Sequence, residues 1–213
     1  MPGLIRRLML TGLLLAASAG AQQGVLREAT AITFPEGADL KLPLTPEPAL
    51  PLAVGEARVQ RDRGITRIDV SLQGLKPAEN FGPDFQTYVL WAVSPEGLVE
   101  NLGEFPLKND RSRLQTSTTL QTFALFVTAE PYYLAQRPSP LQILTMSENA
   151  RVLSGQYRTR PAPYNTASSQ YRIEKQSIAD APEFKGEVIL NPKQAELAIT
   201  IARRGLAGQY SEA

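Results

Sequence analysis

The sequence predicts a mainly β protein, an antiparallel β-sandwich that follows an export signal and precedes a C-terminal α-helix. Three observations predict this class. Between residues 56 and 149, apolar and polar residues alternate over short stretches, as they do in strands with one buried face. Turn-forming residues separate these stretches, which recur about every 10 to 20 residues. No convincing helical pattern lies between them, which disfavours a parallel α/β sheet.

The first 21 residues have the three parts of a secretory signal peptide. Arg6 and Arg7 supply the positive region, Leu8 to Ala17 form the apolar run, and residues 19–21, Ala-Gly-Ala, form a small-residue cleavage site. The apolar run is short for a permanent membrane anchor, and an uncleaved anchor is the alternative. Since no Cys follows the cleavage site, lipid attachment is excluded. We expect a periplasmic or secreted protein that begins near Gln22.

Composition excludes several classes of chemistry. The chain of 213 residues contains neither Cys nor His, which removes disulfides, thiolate nucleophiles, imidazole bases and metal sites built on either residue. Without the signal, the 22 basic residues fall to 20 against 21 acidic ones, so the mature chain has a net charge of −1. We therefore expect no nucleic-acid partner. We also expect no cofactor, no metal and no catalytic residue.

Residues 22–55 form a proline-rich N-terminal arm. Proline lacks the backbone donor that a sheet requires, so we expect edge strands or an extended linker here and not a central strand. The prolines are Pro35, Pro43, Pro46, Pro48 and Pro51.

Residues 56–149 carry the predicted sandwich. "ITRIDVSLQGL" alternates, with Ile68, Val70 and Leu72 on one face. "TYVLWAV" is apolar on both faces, as expected of a strand covered on both sides. A Pro-Glu-Gly turn leads into the return strand "LVENLGEFPL", in which Gly103 marks a possible bulge. With "RLQTSTTL", "TFALFVTAE" and "PSPLQILTM" added, the pattern favours an immunoglobulin-like antiparallel sandwich.

Residues 150–186 are polar and contain few aliphatic side chains, which predicts a linker or a long loop. Residues 187–213 then predict a helix, with Asn191 as N-cap and Pro192 at the first helical position. An apolar face repeats at helical spacing and needs a partner on the sandwich, on another subunit or in a further segment. The residues of this face are Ala195, Ala198, Ile199, Ala202 and Leu206.

Two segments, "TYVLWAVSPEGLVENLGEF" and "LQTFALFVTAEPYYLAQRPSPLQIL", resemble a β-sandwich domain at the N-terminus of bacterial OmpA-type envelope proteins. They are more distantly similar to the C-terminal extracytoplasmic domain of anti-sigma-K factors. The shared features are a Trp-containing strand, a Gly turn, an "LG" return strand and a late "TAEP…PSP" segment, within residues 56–146. The helix resembles the start of the helical region that follows the OmpA-type domain. The resemblance implies an envelope location and a non-enzymatic module, and it supplies no catalytic residue.

The same resemblance has departures. No membrane span follows the signal segment, so an anti-sigma role lacks its anchor. No peptidoglycan-binding domain follows the helix. The first departure disfavours the anti-sigma interpretation, and the second is a departure from the OmpA-type pattern.

Trp91 and three nearby glutamates form the first candidate site. Trp91 is either a core residue of the central strand, which its apolar neighbours favour, or an exposed platform for a sugar or a partner. Glu96, Glu100 and Glu104 could supply paired carboxylates for glycoside hydrolysis. Pro95, Gly97 and Gly103 argue against a helix there, and we expect these glutamates on a solvated sheet face and turn.

Tyrosines and arginines form the second group of candidates. Interleaved Arg and Tyr can bind an anionic polymer or a sugar, although the tyrosines could instead pin a solubilising loop to the sandwich. Tyr132 and Tyr133 follow Pro131 in a loop between strands, where binding residues often lie. The candidate binding residues are Tyr132, Tyr133, Tyr157, Arg158, Arg160, Tyr164, Tyr171 and Arg172.

Together these observations predict an exported, non-enzymatic β-sandwich module for interaction or scaffolding in the bacterial cell envelope. Its partner is an envelope protein or an anionic envelope polymer, and the C-terminal helix offers a route to self-association. The alternative is a carbohydrate-binding or carbohydrate-active protein that acts on envelope glycans.

Overall fold

The computed structural model of the chain describes residues 24–167 and 192–209. The predicted signal segment, 1–21, lies outside the described residues. All strand pairings described are antiparallel, and the predicted mainly β class is confirmed. The strands are β1 (Leu26–Thr33), β2 (Asp39–Pro46), β3 (Val54–Asp62), β4 (Ile65–Gln73), β5 (Thr87–Val93), β6 (Val99–Glu104), β7 (Arg111–Thr118), β8 (Thr122–Glu130), β9 (Gln142–Met146) and β10 (Thr159–Asn165). The helices are a 3-10 turn (Ala78–Phe81), α1 (Ala150–Leu153) and α2 (Pro192–Gln209).

The two layers of the fold belong to one sheet that curls into a near-barrel. The order of hydrogen-bonded neighbours is β7-β4-β3-β2-β9-β8-β5-β6, and a ribbon of β1 and β10 joins at β8. The end strands β6 and β7 approach each other without a backbone ladder. Side chains cross this gap, which we call the seam: Thr116 Oγ1 donates to the Leu102 carbonyl at 2.9 Å. Thr118 Oγ1 donates to Glu100 Oε2 at 2.7 Å.

The β3–β4 hairpin follows directly from its sequence. Arg63 and Gly64 both adopt positive φ, at 50° and 77°, as the tight turn of a two-residue hairpin requires. The turn sets the register, so Val59 lies opposite Ile68 and Ala57 opposite Val70. These apolar side chains are buried on one face, as the alternation predicted.

The N-terminal arm contributes a central strand, and the prediction that it could not was wrong. β2 lies between β3 and β9 although it contains Pro43. The Pro43 carbonyl accepts a hydrogen bond from the Ser147 backbone N–H at 2.9 Å. Because the N and C=O of one strand residue point to the same neighbour, the proline nitrogen also faces the β9 side. It lies just past the last β2–β9 pair, Leu44 with Met146, so the proline costs only one bond, the reciprocal one to the Ser147 carbonyl at the end of the ladder.

β5 and β8 are covered on both faces, which explains their apolar sequences. Trp91 lies opposite Phe126, and the ring of Tyr164 from β10 stacks on Phe126 with 4.5 Å between centroids. The β1–β10 ribbon therefore covers the face that carries Trp91. Trp91 is completely buried, and its predicted place in the core is confirmed.

Part of the predicted linker is a strand instead. β10 pairs with β1 over seven residues, and α1 precedes it. Only Ala162 and Tyr164 of β10 are buried, so its sequence lacks the apolar density by which a strand is recognised. Pro161 and Pro163 fit because β10 pairs only with β1 among the described strands, and a proline's missing donor is harmless on an unpaired edge.

Helix α2 lies along the seam, so the sandwich itself is its partner. The Arg204 carbonyl accepts from Ser117 Oγ of β7 at 3.1 Å. A side chain added at Gly103 of β6 would contact Ile201. The helix therefore presents the stripe of Leu197, Ile201 and Arg204 to the sheet. In the described part of the chain, neither helix is long and apolar enough to cross a membrane.

The face predicted for this helix was wrong. Ile199 is 52% exposed and Ala202 is also exposed, so these predicted contact residues point outwards. Ala198 is half-buried, and the side chains of Ala195 and Leu206 lie outside what the structure describes. The reason is that Arg204, a charged residue, belongs to the half-buried stripe that faces the sheet.

Candidate functional site

Residues 131–141, which we call the platform loop, cover the part of the sheet next to Trp91. One end of the loop is held by Asn101, whose Nδ2 donates to the carbonyl oxygens of Tyr133 and Ala135 at 2.9 and 3.0 Å. The Asn101 Oδ1 accepts from the Gly103 backbone N–H at 3.0 Å. All the polar atoms of this buried amide group are thus used to fix the loop to β6.

A bulge in β6 places Asn101 in this position. Leu90 pairs with Gly103 whereas Trp91 pairs with Asn101, so Leu102 is an extra residue in the ladder. Gly103 has φ of 126°, a conformation that residues with a side chain rarely adopt. The predicted bulge at Gly103 is confirmed, and its effect is to turn the Asn101 amide towards the platform loop.

The other end of the loop is held by Ser139. Its backbone N–H donates to Glu130 Oε1 at 2.6 Å, and its Oγ donates to the Ala129 carbonyl at 2.6 Å. Ser139 and Glu130 are both buried. The platform loop is therefore fixed to the sheet near both of its ends by side chains that water does not reach.

Glu130 is one end of a buried series of hydrogen bonds. Trp91 Nε1 donates to Thr128 Oγ1 at 2.7 Å, and Thr128 Oγ1 donates to Glu130 Oε1 at 2.5 Å. Glu130 Oε2 has no hydrogen-bond partner among the described residues. Burial raises the pKa of the Glu130 carboxyl to about 7, although the donors Thr128, Ser139 and Trp91 act in the opposite direction.

At its start, beside the Asn101 anchor, the loop displays two aromatic rings. Tyr132 is 37% exposed and Tyr133 is 42% exposed, whereas the next residues, Leu134 and Ala135, are buried. Gln136 and Arg137 are exposed beyond them. Both tyrosines lie where the sequence predicted them, in a loop between strands, and they are accessible.

A shallow groove adjoins the platform loop at Ala135 and Gln136. It has a volume of about 340 Å³ and lies between the platform loop and α2. Ala135 and Gln136 form one wall, and Leu197 and Thr200 form the other. Glu100 also lines it, paired with Arg204 of α2 at 3.0 Å. The Arg204 Nη1 donates to the Asn101 carbonyl at 2.7 Å, so loop, helix and β6 meet at one point.

The other candidate binding residues divide into buried and exposed ones. Tyr157 and Tyr164 are buried, at 8% and 4% exposure, so they cannot stack on a ligand at the surface. Tyr157 packs under the Arg151 guanidinium, 5.5 Å from the ring centroid, and the Tyr164 hydroxyl donates to Gln142 Oε1 at 3.2 Å. For these two tyrosines the predicted binding role is wrong, and they instead pin β10 and the segment before it to the fold.

The arginines of that segment remain at the surface. Arg158 and Arg160 are exposed, and Arg160 pairs with Glu96 at 3.4 Å between exposed groups. Such a pair contributes little to stability. Tyr171 and Arg172 lie outside the described residues.

The three glutamates near Trp91 do not form a catalytic pair. Glu96 lies in the β5–β6 turn, where a hydrogen bond from Ser94 and then its own backbone lower the pKa of its carboxyl. Glu100 is bound by Thr118 and Arg204. Glu104 accepts from Thr87 Oγ1 at 3.3 Å. Because the bulge lies between Glu100 and Glu104, these two side chains leave opposite faces of the sheet.

A second cleft, of about 260 Å³, brings Glu104 together with one further carboxylate, Glu79. Glu79 and Glu104 both line it, together with Thr87 and Tyr88. The Tyr88 hydroxyl donates to the Lys76 carbonyl at 2.5 Å, and burial raises its pKa to about 12, so Tyr88 is a structural residue. Across the described ranges, no group of three or more acidic side chains is arranged to hold a metal ion.

Sequence reasoning missed Asn101, Glu130 and Ser139, the residues that fix the platform loop. One signal was available, because Glu130 is a charged residue at the end of an otherwise apolar strand, directly before Pro131.

No protein-family model, no curated protein and no solved structure matches this chain.

Proposed function

We propose that this chain is an exported, non-enzymatic interaction module of the bacterial cell envelope, and that the platform loop is its binding surface. One observation carries the proposal. Tyr132 and Tyr133 are exposed on a loop whose neighbouring residues are buried and tied to the sheet by Asn101 and Ser139. Tyrosine is enriched among the residues that dominate binding at protein interfaces, and a rigid support reduces the ordering cost of binding.

The chemistry of the surface supports a protein partner. Tyrosine presents a large apolar ring with one polar end, and Arg137 adds an exposed guanidinium in the same loop. The groove on the Ala135–Gln136 side of the same loop would receive a partner side chain. Tyr, Arg and a neighbouring concavity are the usual composition of an interface centre.

The export signal and the resemblance to OmpA-type domains support the envelope location, and both remain part of the proposal. The absence of His and Cys from the chain supports a non-enzymatic role. Glu130, whose pKa is raised as in many active sites, is sealed under the loop and has no route to a substrate in this conformation.

The proposal is tested by photo-crosslinking in the bacterial envelope. A photoreactive phenylalanine analogue replaces Tyr133 in one version of the exported chain and Leu153 in the other. Leu153 is a matched control because it is 71% exposed and lies away from the platform loop in sequence. We expect a discrete protein adduct from position 133 and none from position 153. Equal labelling from both positions would contradict a specific surface.

The cleft between Glu79 and Glu104 supports a second candidate, a glycan-binding surface. Two carboxylates and a threonine hydroxyl could accept and donate hydrogen bonds to sugar hydroxyls. Cosedimentation of the chain with isolated peptidoglycan sacculi tests this candidate. Binding that survives loss of both tyrosines but disappears in Glu79→Gln with Glu104→Gln would favour it.

A further inference from the structure

The inference concerns the buried carboxyl of Glu130, which touches both the sheet and the platform loop. It is completely buried and lies at the end of β8. Its Oε1 receives the Ser139 backbone N–H and the Thr128 hydroxyl. Its Oε2 receives no hydrogen bond from the described residues. This geometry favours a neutral carboxyl, because burying an unpaired O–H at Oε2 costs less than burying an unpaired negative charge there.

Within residues 24–167 and 192–209, no charged group compensates a negative charge at this place. From β5, the residues that face Glu130 are Thr87, which lies opposite it, and Trp91. From the platform loop the facing residue is Ser139, and the only charged residue of that loop, Arg137, is exposed. From β6, Glu104 is exposed and reaches only Thr87. The influences on Glu130 are burial and three neutral donors, without a cation.

We propose that Glu130 is a proton-controlled latch, which holds the platform loop closed while its carboxyl is protonated and releases the Ser139 end when the proton is lost. Once ionised, the carboxylate requires water at Oε2. Water reaches it when residues 138–141 lift from the sheet, which breaks the bond from Ser139. The opening step therefore couples proton release to the position of the loop.

The direction of the pH effect on loop opening follows from the pKa of Glu130 in the closed and in the open loop. In the closed loop the carboxyl has a pKa of about 7, and in an opened, solvated loop it has the ordinary value of 4.5. The closed state therefore binds the proton more tightly. As pH rises from about 4.5 to about 7, the ratio of open to closed loop increases by a total of about 300-fold, after which it is constant.

For the proposed function, on which this step rests, the consequence is regulation of the same surface. Opening frees the Ser139 end of the platform loop that carries Tyr132 and Tyr133, while Asn101 still holds the carbonyls of Tyr133 and Ala135. The rings then lose part of their fixed orientation. A partner must order them when it binds, which weakens binding. We expect weaker partner binding above pH 7 than at pH 5.

The latch is tested on the exported chain without any partner. Amide hydrogen exchange of Ser139 and acrylamide quenching of Trp91, the only tryptophan, are followed from pH 4.5 to 8.5. In the wild type, after correction for intrinsic exchange, we expect Ser139 exchange to accelerate by up to about 300-fold. Trp91 quenching should rise over the same range. In Glu130→Gln both readouts should stay flat. A flat wild type, or a variant that follows the same curve, overturns the latch.

A second measurement covers the case in which Glu130→Gln does not fold. The carboxyl carbon of Glu130 is titrated by NMR in the wild type. We expect a midpoint near 7 that coincides with the change in Ser139 exchange. A midpoint near 4.5, or a midpoint near 7 without change in exchange, overturns the latch.

Failure of the latch and failure of the proposed function give different results. If crosslinking at position 133 gives no partner while Ser139 exchange follows pH, the proposed function fails and the latch stands. If a Tyr-dependent partner is found and binds equally at pH 5 and pH 8, the latch fails as a regulator of that surface.

Discussion

The side-chain amide of Asn101 holds the backbone of Tyr133, with 2.9 Å between Nδ2 and the carbonyl oxygen. This bond joins a bulged strand of the barrel to the residue that we place at the centre of the binding surface. The same amide binds the carbonyl of Ala135, so a single side chain fixes two residues of the platform loop. The orientation of the tyrosines is therefore a property of β6 as much as of the loop.

Replacement of Asn101 by Leu tests this relationship. The change leaves two buried carbonyl oxygens and the Gly103 N–H without partners, so we expect the free energy of unfolding to fall by about 2 to 4 kcal/mol. Urea denaturation measures it. Gln136→Ala, at an exposed position of the same loop, is the control and should change stability by less than about 0.5 kcal/mol. Equal effects of the two substitutions would mean that Asn101 does not fix the loop.

Arg204 is expected to hold α2 in the seam. Its side chain is 18% exposed and pairs with Glu100, which is 16% exposed. Removal of one member of a largely buried pair leaves a charge without compensation, so Arg204→Met should destabilise the chain by about 1 to 3 kcal/mol. Arg203→Met, an exposed neighbour, should have almost no effect.

A double-mutant cycle separates the pair from other effects of Arg204. In Glu100→Gln the loss from Arg204→Met should shrink by at least about 0.5 kcal/mol, because the partner charge is already absent. Denaturation curves of the four proteins give this coupling energy. A coupling energy of zero would show that α2 is held by apolar contacts alone.

Glu130 should make the free energy of unfolding depend on pH. Its folded pKa, about 7, is raised above the ordinary 4.5, so the folded state binds the proton more tightly. The free energy of unfolding should therefore fall as pH rises from about 4.5 to about 7, by at most about 3 kcal/mol. Glu130→Gln removes this fall.

The comparison with Glu130→Gln is necessary because other carboxyls act in the opposite sense. Hydrogen bonds from Arg58 and Arg113 lower the pKa values of Asp39 and Asp69 respectively, so these groups stabilise the fold above their ordinary pKa and lose that effect in acid. Subtraction of the variant's pH curve leaves the contribution of Glu130. A difference curve that rises with pH would contradict the assignment.

Substitution and fluorescence of Trp91 should show that its side chain lies in the core. Trp91→Phe removes the hydrogen bond to Thr128 and leaves space in a completely buried site, so we expect a loss of about 2 to 4 kcal/mol. Wild-type fluorescence should be blue-shifted and poorly quenched by acrylamide at pH 5. Tyr132→Phe, at an exposed ring, should cost less than about 0.5 kcal/mol. A stable Trp91→Phe protein would contradict the core assignment.

Several features of the fold were predictable because they depend on local pattern. Alternation placed Ile68, Val70 and Leu72 in the core, and an apolar run identified Trp91 as buried. Gly103 was recognisable as a bulge because a glycine interrupts a strand that has a polar face. In each case the signal lies within about ten residues of the feature.

The errors arose where long-range geometry decides. Whether Pro43 breaks a sheet depends on which neighbour its nitrogen faces, and that is fixed by where β9 ends. The inward face of α2 includes Arg204 because its side chain binds the Asn101 carbonyl and pairs with Glu100, both on β6. A count of apolar residues cannot include such a contact.

The candidate site was predictable only in its exposed part. Tyr132 and Tyr133 follow from a proline-bounded loop between two strands. Their anchors do not, because Asn101 lies 34 residues from Ala135 and nothing local joins the two. The burial of Glu130 could not be predicted for the same reason, because the platform loop that covers it is brought there only by the fold.

The central claim is that Tyr132 and Tyr133 bind a partner, and it is tested most directly by one affinity. The dissociation constant of the partner crosslinked at position 133 is measured at pH 5 for the wild type and for Tyr132→Ala with Tyr133→Ala. Leu52→Ala, at a position that is 82% exposed, is the control. We expect the tyrosine variant to bind at least about 30-fold more weakly, as loss of interface hot spots does, and Leu52→Ala to bind like the wild type. Equal affinities of all three proteins would contradict the account.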